Sequence, residues 1–477
     1  MILKGYIFGT LYALLCLLVA FIVYKLGVPK KYTRKLVHIL VGAEWIILSH
    51  YMGATYHFLV VCLFFLVLLA VAHFKKLMPM ISSDSDNAPG TVYYAVAMSI
   101  MAVICLFIPD MMLPFGIGVL CTSIGDGLAG VVGSLVKNHN PKVYKSKTLF
   151  GFVANLIASF AVAASFKYIC LPELKIWQCI MIALLSAGLE LITVFGLDNI
   201  SITVGVSFLA YAFVHYPIIN SLAVPIVLTP YIIALVLEKK VLTPNGLILA
   251  LILDVVISLT LANFGFVLLL SFLVISVAID KVKKHRKKED TVTKKGDCRD
   301  GVQVIANGLV PMMMALMYSG TGNPAFVVGY IAALAEATAD TAASGIGVYA
   351  RGVFDLFRWK KTLPGLSGGM SVIGTVASLF GAVAISAIAL AFGVINLQLF
   401  VLVSLCAFLG AVFDSALGSL VQVKYRCSVC GELTEREVHC NKITKKHSGF
   451  EFFDNDVVNL ISGLFSAILA AVLFSVI

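Results

Sequence analysis

Long apolar runs alternate with short segments rich in lysine and arginine along the whole chain, and that rhythm predicts its elements. A helix needs about 20 apolar residues to cross the hydrocarbon core of a bilayer. Runs of that kind begin near Gly5, Leu36, His57, Thr91, Leu113, Leu149, Ile176, Ser201 and Leu222. A second series begins near Gly246, Phe264, Val302, Ala325, Ser371, Leu399 and Val457. They predict an all-α, polytopic transmembrane helical bundle of about 14–16 spans. Lys4 precedes the first run and Lys25 follows it without a small-residue cleavage site, so it reads as a span and not a removed leader.

Basic clusters fall between these runs, at Lys25 to Lys35, Lys75 and Lys76, Lys137 to Lys147, and Lys239 and Lys240. They continue at Lys281 to Arg299, Arg351 to Lys361 and Lys424 to Lys446. Alternating the spans puts all of them on one side, which positive charge marks as cytoplasmic. A new series of spans starts after Lys240, so the expected domains are 1–240 and 241–477, the second with cytoplasmic loops at 281–300 and 421–455. Composition sharpens this picture by exclusion: 60% hydrophobic and 13% charged residues do not describe a soluble globule. The net charge of +10 is mostly the loop bias. No aromatic-interleaved basic groove is present, so nucleic acid is not an expected partner.

One pattern occurs twice. Asp126 is followed by Gly130, Gly133, Lys147, Thr148 and Gly151, and Asp340 by Ser344, Gly347, Lys361, Thr362 and Gly365. In both copies the lysine follows the aspartate by 21 positions. RKLVH at Arg34 to His38 also resembles RDGVQ at Arg299 to Gln303, with histidine in one and glutamine in the other. Both aspartate-bearing runs end on the basic side, so the expected duplication is a parallel internal repeat.

Ionisable groups in apolar segments are expensive and usually line a site. Here they are Arg34, His38, Glu44, Asp126, Glu190 and Asp198, then Arg299, Glu336, Asp340, Asp414, Asp454 and Asp456. Structural alternatives stand beside each functional one. The arginines could be anchors at span ends, His38 a hydrogen-bonded core histidine, Glu44 and Glu336 caps or pairs, and Gly130 and Gly133 packing residues. An aspartate suits magnesium, which takes few protein carboxylates when phosphates supply the other oxygens. Small residues admit phosphate to backbone amides, and a lysine supplies a mobile positive charge. The expected ligand is therefore a nucleoside triphosphate with magnesium. Residues 125–130 spell GxGxxG, but the surrounding βαβ pattern is missing, which excludes a Rossmann reading.

RKLVHILVG, GDGLAGVVGS, KSKTLFGFVANLIAS and the Glu190 run with LDNISI resemble the polyprenol kinase family, which includes dolichol kinases and phytol kinases, over nearly all of residues 30–210. RDGVQVIANG, EATADTAASGIG, KTLPGLSGGMSVIGTVAS, DSALGS and FDNDVVN resemble a related family, to which plant phytyl-phosphate kinase belongs, from Arg299 to Leu460. The resemblance implies two successive phosphorylations, prenol to monophosphate and monophosphate to diphosphate, with CTP as the expected donor; the spacing itself does not separate CTP from ATP. Catalytic residues are then expected at Asp126, His38, Lys147, Glu190 and Asp198, and at Asp340, Lys361 and Asp414. Substrate or nucleotide contacts are expected from Arg34, Gly125, Gly127, Gly130, Thr148, Gly151 and Asn199. In the second half they are expected from Arg299, Gln303, Asn307, Glu336, Ser344, Thr362, Gly365 and Asn455. Magnesium is expected on Asp126, Asp340, Asp454 and Asp456. An alcohol must lose a proton where a phosphate monoester is already ionised, so a base, for which His38, Glu190 and Asp198 are the candidates, is helpful in the first reaction and dispensable in the second.

Expected partners are the lipid alcohol, the lipid phosphate, the nucleotide and membrane lipids, with a homo-oligomer left open. Another lipid substrate, such as diacylglycerol or dolichol, and a repeat-built transporter are the rival readings; transport sites tend to sit at the bilayer midplane, whereas these motifs run into basic loops. Cys427, Cys430, His439 and Cys440 have spacing that suits zinc within loop 427–447, with plain reduced thiols as the alternative.

Overall fold

The computed structural model describes residues 1–75, 90–136, 140–285, 298–350 and 352–477. Lys76, Lys137, Arg351 and residues 286–297 of the basic loop lie outside the described residues. The chain divides into two compact units, Met1–Glu238 and Lys239–Ile477.

Each of the apolar runs enters a helix. Among the described residues, eleven helices are long and apolar enough to cross a membrane, fewer than the 14–16 expected. The difference has local causes. The run at Leu36 breaks at Ala43 into Lys30–Gly42 and Glu44–Met52. Ile176–Ile192 and Ala223–Lys239 reach only 17 residues each. Residues 244–282 form one apolar stretch of 39 residues. A straight helix of that length would measure about 58 Å, nearly twice a core of about 30 Å. The backbone instead breaks at Ala262 (φ 54°, ψ −148°) and divides the stretch into two legs.

In the first unit, Met112–Leu120 lies at the centre of the core with Asp198–His215 beside it. Glycine makes that approach feasible: a Cβ at Gly116 would strike the Trp45 ring, and one at Gly118 would strike the Thr203 carbonyl. Hydroxyls buried there satisfy themselves within the helix, as Thr122 Oγ1 donates to the Gly118 carbonyl and Ser123 Oγ to that of Val119, both at 2.9 Å.

In the second unit the central element is Ala325–Gly347, built largely from alanine and glycine and buried along most of its length. Gly301–Thr321, Val372–Ala391, Leu397–Leu420 and Asn455–Phe474 pack around it. Short antiparallel strands punctuate the helices. Each unit has one hairpin after its aspartate-bearing helix, Lys142–Tyr144 with Lys147–Thr148 and Phe354–Asp355 with Lys360–Lys361. The 421–455 segment adds a three-stranded sheet, in which Lys424–Arg426 lies between Leu433–Thr434 and Lys445–Ser448.

Candidate active sites

In the first unit the Met112–Leu120 helix continues through one π-helical turn, Cys121–Asp126, into Gly127–Leu135. Such turns carry an extra residue and occur frequently at functional sites. This one ends on Asp126, a buried carboxylate whose Oδ2 lies 2.7 Å from Lys35 Nζ and 3.5 Å from His38 Nε2. Lys35 and His38 are three residues apart on Lys30–Gly42 and so share a helix face. His38 Nε2 is also 3.1 Å from the Thr122 carbonyl. A carbonyl only accepts, so Nε2 carries the proton and the basic lone pair is on Nδ1.

Lys147 opens the hairpin's second strand and reaches Glu190 Oε1 at 2.7 Å and Asp198 Oδ2 at 3.6 Å. Burial alone would lower the Lys147 ammonium, but Glu190, Asp126 and Asp198 together hold it above its ordinary range, so it stays charged. Two lysines are thereby interleaved with three carboxylates. A cavity of about 220 Å³ opens beside them. Its polar lining is Arg34, Lys35, His38, Asp126, Asp198 and Asn199, with Glu44 further along the chain; Val37, Val41, Leu48, Val61, Phe65 and Met98 supply apolar wall. Among the described residues, Glu44 Oε1 and the Tyr94 hydroxyl are buried without hydrogen-bond partners, and both residues line this cavity.

The glycines have a packing part, the alternative that the sequence already offered for Gly130. A Cβ at Gly130 would strike the Lys35 stem, and one at Gly127 would strike Ile39. A Cβ at Gly125 would come 2.6 Å from Ser159 Oγ, and one at Gly151 2.9 Å from the Ala129 carbonyl. The space each glycine leaves is filled by a neighbour, so close packing alone accounts for a glycine at 125, 127, 130 and 151. Thr148 is an N-cap, its hydroxyl accepting from the Gly151 N–H at 3.4 Å. Asn199 ties the start of the Gly90–Phe107 helix to the turn before its own, donating to the Gly90 and Gly196 carbonyls at 3.0 and 3.1 Å. Lys35 is the residue the motif reading passed over; its position three before His38 was the available signal.

The second unit gathers acids differently. Asp340 and Glu336 sit one turn apart on Ala325–Gly347, and the Asp414 carboxyl, from Leu397–Leu420, faces both as well as Glu435. Asp414 accepts from Ser462 Oγ at 3.2 Å. Among the described residues, Glu336 Oε1 is buried without a hydrogen-bond partner. Lys361 does not reproduce the position of Lys147: it is exposed and, among the described residues, makes no ion pair. The buried cation here is Lys424, which donates to the Ser367 carbonyl at 2.8 Å. Burial and Arg358 bring its ammonium below the ordinary range, against Asp355 and Glu435.

Several other expected contacts are engaged in local structure. Arg299 pairs with Asp280 at 3.2 Å. Gln303 closes a capping box with Asp300, so it stands at a helix entry where His38 stands inside a helix. Asn307 donates to the Gln303 carbonyl at 2.9 Å, and the exposed Ser344 to that of Thr341 at 3.3 Å. The Thr362 N–H donates to the Val353 carbonyl at 3.1 Å, and Gly365 takes a φ of 88° that favours glycine. Asp454 caps the Asn455–Phe474 helix, accepting from the N–H groups of Asp456 and Val457 at 3.1 and 3.2 Å, with Asn455 at the first helical position and Asp456 buried next to it. Cys427, Cys430, His439 and Cys440 converge in the β-rich segment.

Comparison with known proteins connects these geometries to named relatives. The phytol kinase of Synechocystis is 28% identical over 192 residues, 39% of this chain and 80% of that protein. An uncharacterized membrane protein of Methanocaldococcus jannaschii is 29% identical over 250 residues, 51% of this chain and 90% of its own length. The chloroplastic protein VTE6 of Arabidopsis thaliana is 25% identical over 236 residues, 48% of this chain and 64% of that protein. No solved structure matches the chain. The model of a family described as integral membrane protein DUF92 matches residues 227–467. That match covers half of a chain with eleven membrane-length apolar helices among its described residues, and the protein belongs to this family of integral membrane proteins.

Proposed function

We propose that the first unit transfers the terminal phosphate of a nucleoside triphosphate to an isoprenoid alcohol of the phytol or geranylgeraniol type. The second unit then phosphorylates the monophosphate to the diphosphate. The observation that carries this reading is the first unit's cavity, apolar over much of its wall and bordered by Arg34, Lys35, His38 and Asp126. A prenol has that character, with a long hydrocarbon body and one hydroxyl. Similarity to a phytol kinase supports the same substrate class. CTP is the proposed donor, on the resemblance of the first-half motifs to polyprenol kinases, and the sites are proposed to face the cytoplasm with the basic loops.

In the first reaction the prenol oxygen attacks the γ-phosphorus, the bond to the β–γ bridging oxygen breaks, and the nucleoside diphosphate leaves. The hydroxyl proton passes to a base, for which His38 Nδ1 is suited because Nε2–H is engaged with Thr122. Glu190 and Asp198 hold Lys147, and Lys147 with Arg34 offsets charge on the phosphates. Magnesium, bound with the nucleotide, supplies further charge neutralisation. Asp126 and Asp198 in the first unit and Asp340 and Asp414 in the second offer hard oxygens for it. The shared order of acid, hairpin, lysine and following helix supports a parallel duplication as the origin of the two units.

The test is direct. The full chain in detergent is incubated with magnesium, phytol or geranylgeraniol, and CTP or ATP labelled in the terminal phosphate. The expected products are labelled monophosphate and then diphosphate. Absence of labelled lipid with both alcohols and both nucleotides rejects the reading.

A further inference from the structure

Cys427 follows the strand Lys424–Arg426, and the next residues fold into a tight knuckle. The Cys427 N–H donates to the Glu432 carbonyl at 2.9 Å, the Gly431 N–H to the Cys427 carbonyl at 3.0 Å, and the Val429 N–H to Cys427 Sγ at 3.3 Å. Gly431 takes a φ of 75°, which lets the chain double back so that Cys427 and Cys430 face one point. Opposite them, Val438–His439 pairs with Lys442–Ile443, and Cys440 and Asn441 occupy the turn at φ 52° and 57°. His439 Nδ1 lies 3.5 Å from Cys430 Sγ and 3.3 Å from Cys440 Sγ. All four donor atoms fall within 4.8 Å of one another. Zinc–sulfur bonds of about 2.3 Å in a tetrahedron require sulfur separations of roughly 3.8 Å, inside that limit. Three thiolates and one imidazole form a closed set of soft donors, the type that structural zinc takes and that leaves no position for substrate.

The same segment grips the second unit's glycine loop. Glu435, between the knuckle and His439, accepts from both the Ser367 N–H and the Ser367 hydroxyl. Lys424, before Cys427, donates to the Ser367 carbonyl at 2.8 Å, and Gln422 Nε2 donates to its hydroxyl at 3.0 Å. Every polar atom of Ser367 is therefore held from this segment. The next residue, Gly368, has a φ of 86° and lies against Ser419, where a Cβ would come 2.5 Å from the backbone nitrogen. Ser419 is on the helix that carries Asp414. Strands of two to four residues, with Val438 and Ile443 exposed, provide little apolar core to hold this arrangement.

We propose that Cys427, Cys430, His439 and Cys440 bind one zinc ion, and that the ion keeps the segment folded so that Glu435 and Lys424 can hold Ser367 beside the Asp414 helix. Metal binding here stands on its own geometry; only the importance of the clamp for prenyl-monophosphate phosphorylation rests on the function proposed above.

The experiment measures metal content of the purified full chain by elemental mass spectrometry and hydrogen–deuterium exchange of peptides covering 363–370. About one zinc per chain is expected. Cys430→Ser with Cys440→Ser should lose it, while Cys170→Ser, at an exposed thiol of the first unit, should keep it. Stripping wild type with a chelator should raise exchange of the 363–370 peptides roughly tenfold, and added zinc should reverse it. Using wild type avoids dependence on a variant that fails to fold. Absence of metal, iron in place of zinc, or zinc retained by the double variant overturns the site. Zinc loss without a change in exchange overturns the clamp. Intact zinc and clamp in a chain that phosphorylates no prenyl monophosphate would count against the proposed function and leave this inference standing.

Discussion

The two units place an aspartate and a lysine in the same 21-residue register and surround them oppositely. In the first, Asp126 is paired with Lys35 at 2.7 Å and Lys147 with Glu190 at 2.7 Å, so buried charges are matched before any ligand arrives. In the second, Asp340, Glu336 and Asp414 face one another while Lys361 stands exposed. A buried charge is tolerated when paired and costly when not. The comparison teaches that a repeated sequence register transmits backbone order, here helix, hairpin and helix, without transmitting the electrostatics of the site. These come from residues outside the register, above all Lys35.

The largest expected effect tests whether the units handle the proton differently. His38→Gln should slow phosphorylation of the alcohol by about 10²- to 10⁴-fold, the range for loss of a general base. It should spare phosphorylation of supplied prenyl monophosphate, whose second pKa of about 6 leaves it ionised at neutral pH. Equal slowing of both steps would remove His38 from proton transfer. Next, Lys147→Ala should reduce alcohol phosphorylation roughly 10²- to 10³-fold, as expected for a lost charge-stabilising group. Lys361→Ala, at an exposed lysine of the other unit, should leave that step unchanged. Initial rates on the two separate substrates decide both.

Stability sharpens the contrast. Lys35→Met leaves Asp126 buried without its ammonium partner, and breaking a buried pair costs about 3–5 kcal/mol. The lower end is expected because Lys35 is 25% exposed. Adding Asp126→Asn should recover most of the loss. Asp340→Asn, which removes a charge from a group of like charges, should leave thermal stability in detergent unchanged or raised. A lower melting temperature for Asp340→Asn would show that its carboxylate has a compensating partner. The smallest effect concerns packing. Gly133→Ala brings a Cβ 2.8 Å from Thr148 Oγ1 and should destabilise by about 1 kcal/mol. Gly347→Ala meets nothing closer than 3.5 Å and should be neutral.

The apolar periodicity made the helices legible, and the basic loops separated them. The number of membrane-length helices was less legible, because Ala43 and Ala262 break the backbone in the middle of apolar runs and an alanine carries no break signal. The Asp126 site was partly legible. Asp126, His38, Lys147, Glu190 and Asp198 do meet, from five separate elements of the chain. Lys35 was hidden by its place in a basic cluster that topology already explained. The GDGLAGVVG glycines are ambiguous in another way, since close helix packing and phosphate binding draw on the same small residues. In the second unit, Gln303 and Asp454 were read as site residues, and the structure places Gln303 in the capping box of Asp300 and Asp454 at a helix N-cap, roles their spacing to Asp300 and Val457 could have suggested.

The central claim is that each unit carries out one phosphorylation with its own residues. Thin-layer chromatography of labelled products from Asp126→Asn and Asp340→Asn, each given first the alcohol and then the prenyl monophosphate, tests it most directly. The account predicts that Asp126→Asn makes no monophosphate from alcohol yet converts supplied monophosphate to diphosphate, and that Asp340→Asn accumulates monophosphate and goes no further. Loss of both products in either variant, or wild-type yields from both, would contradict it.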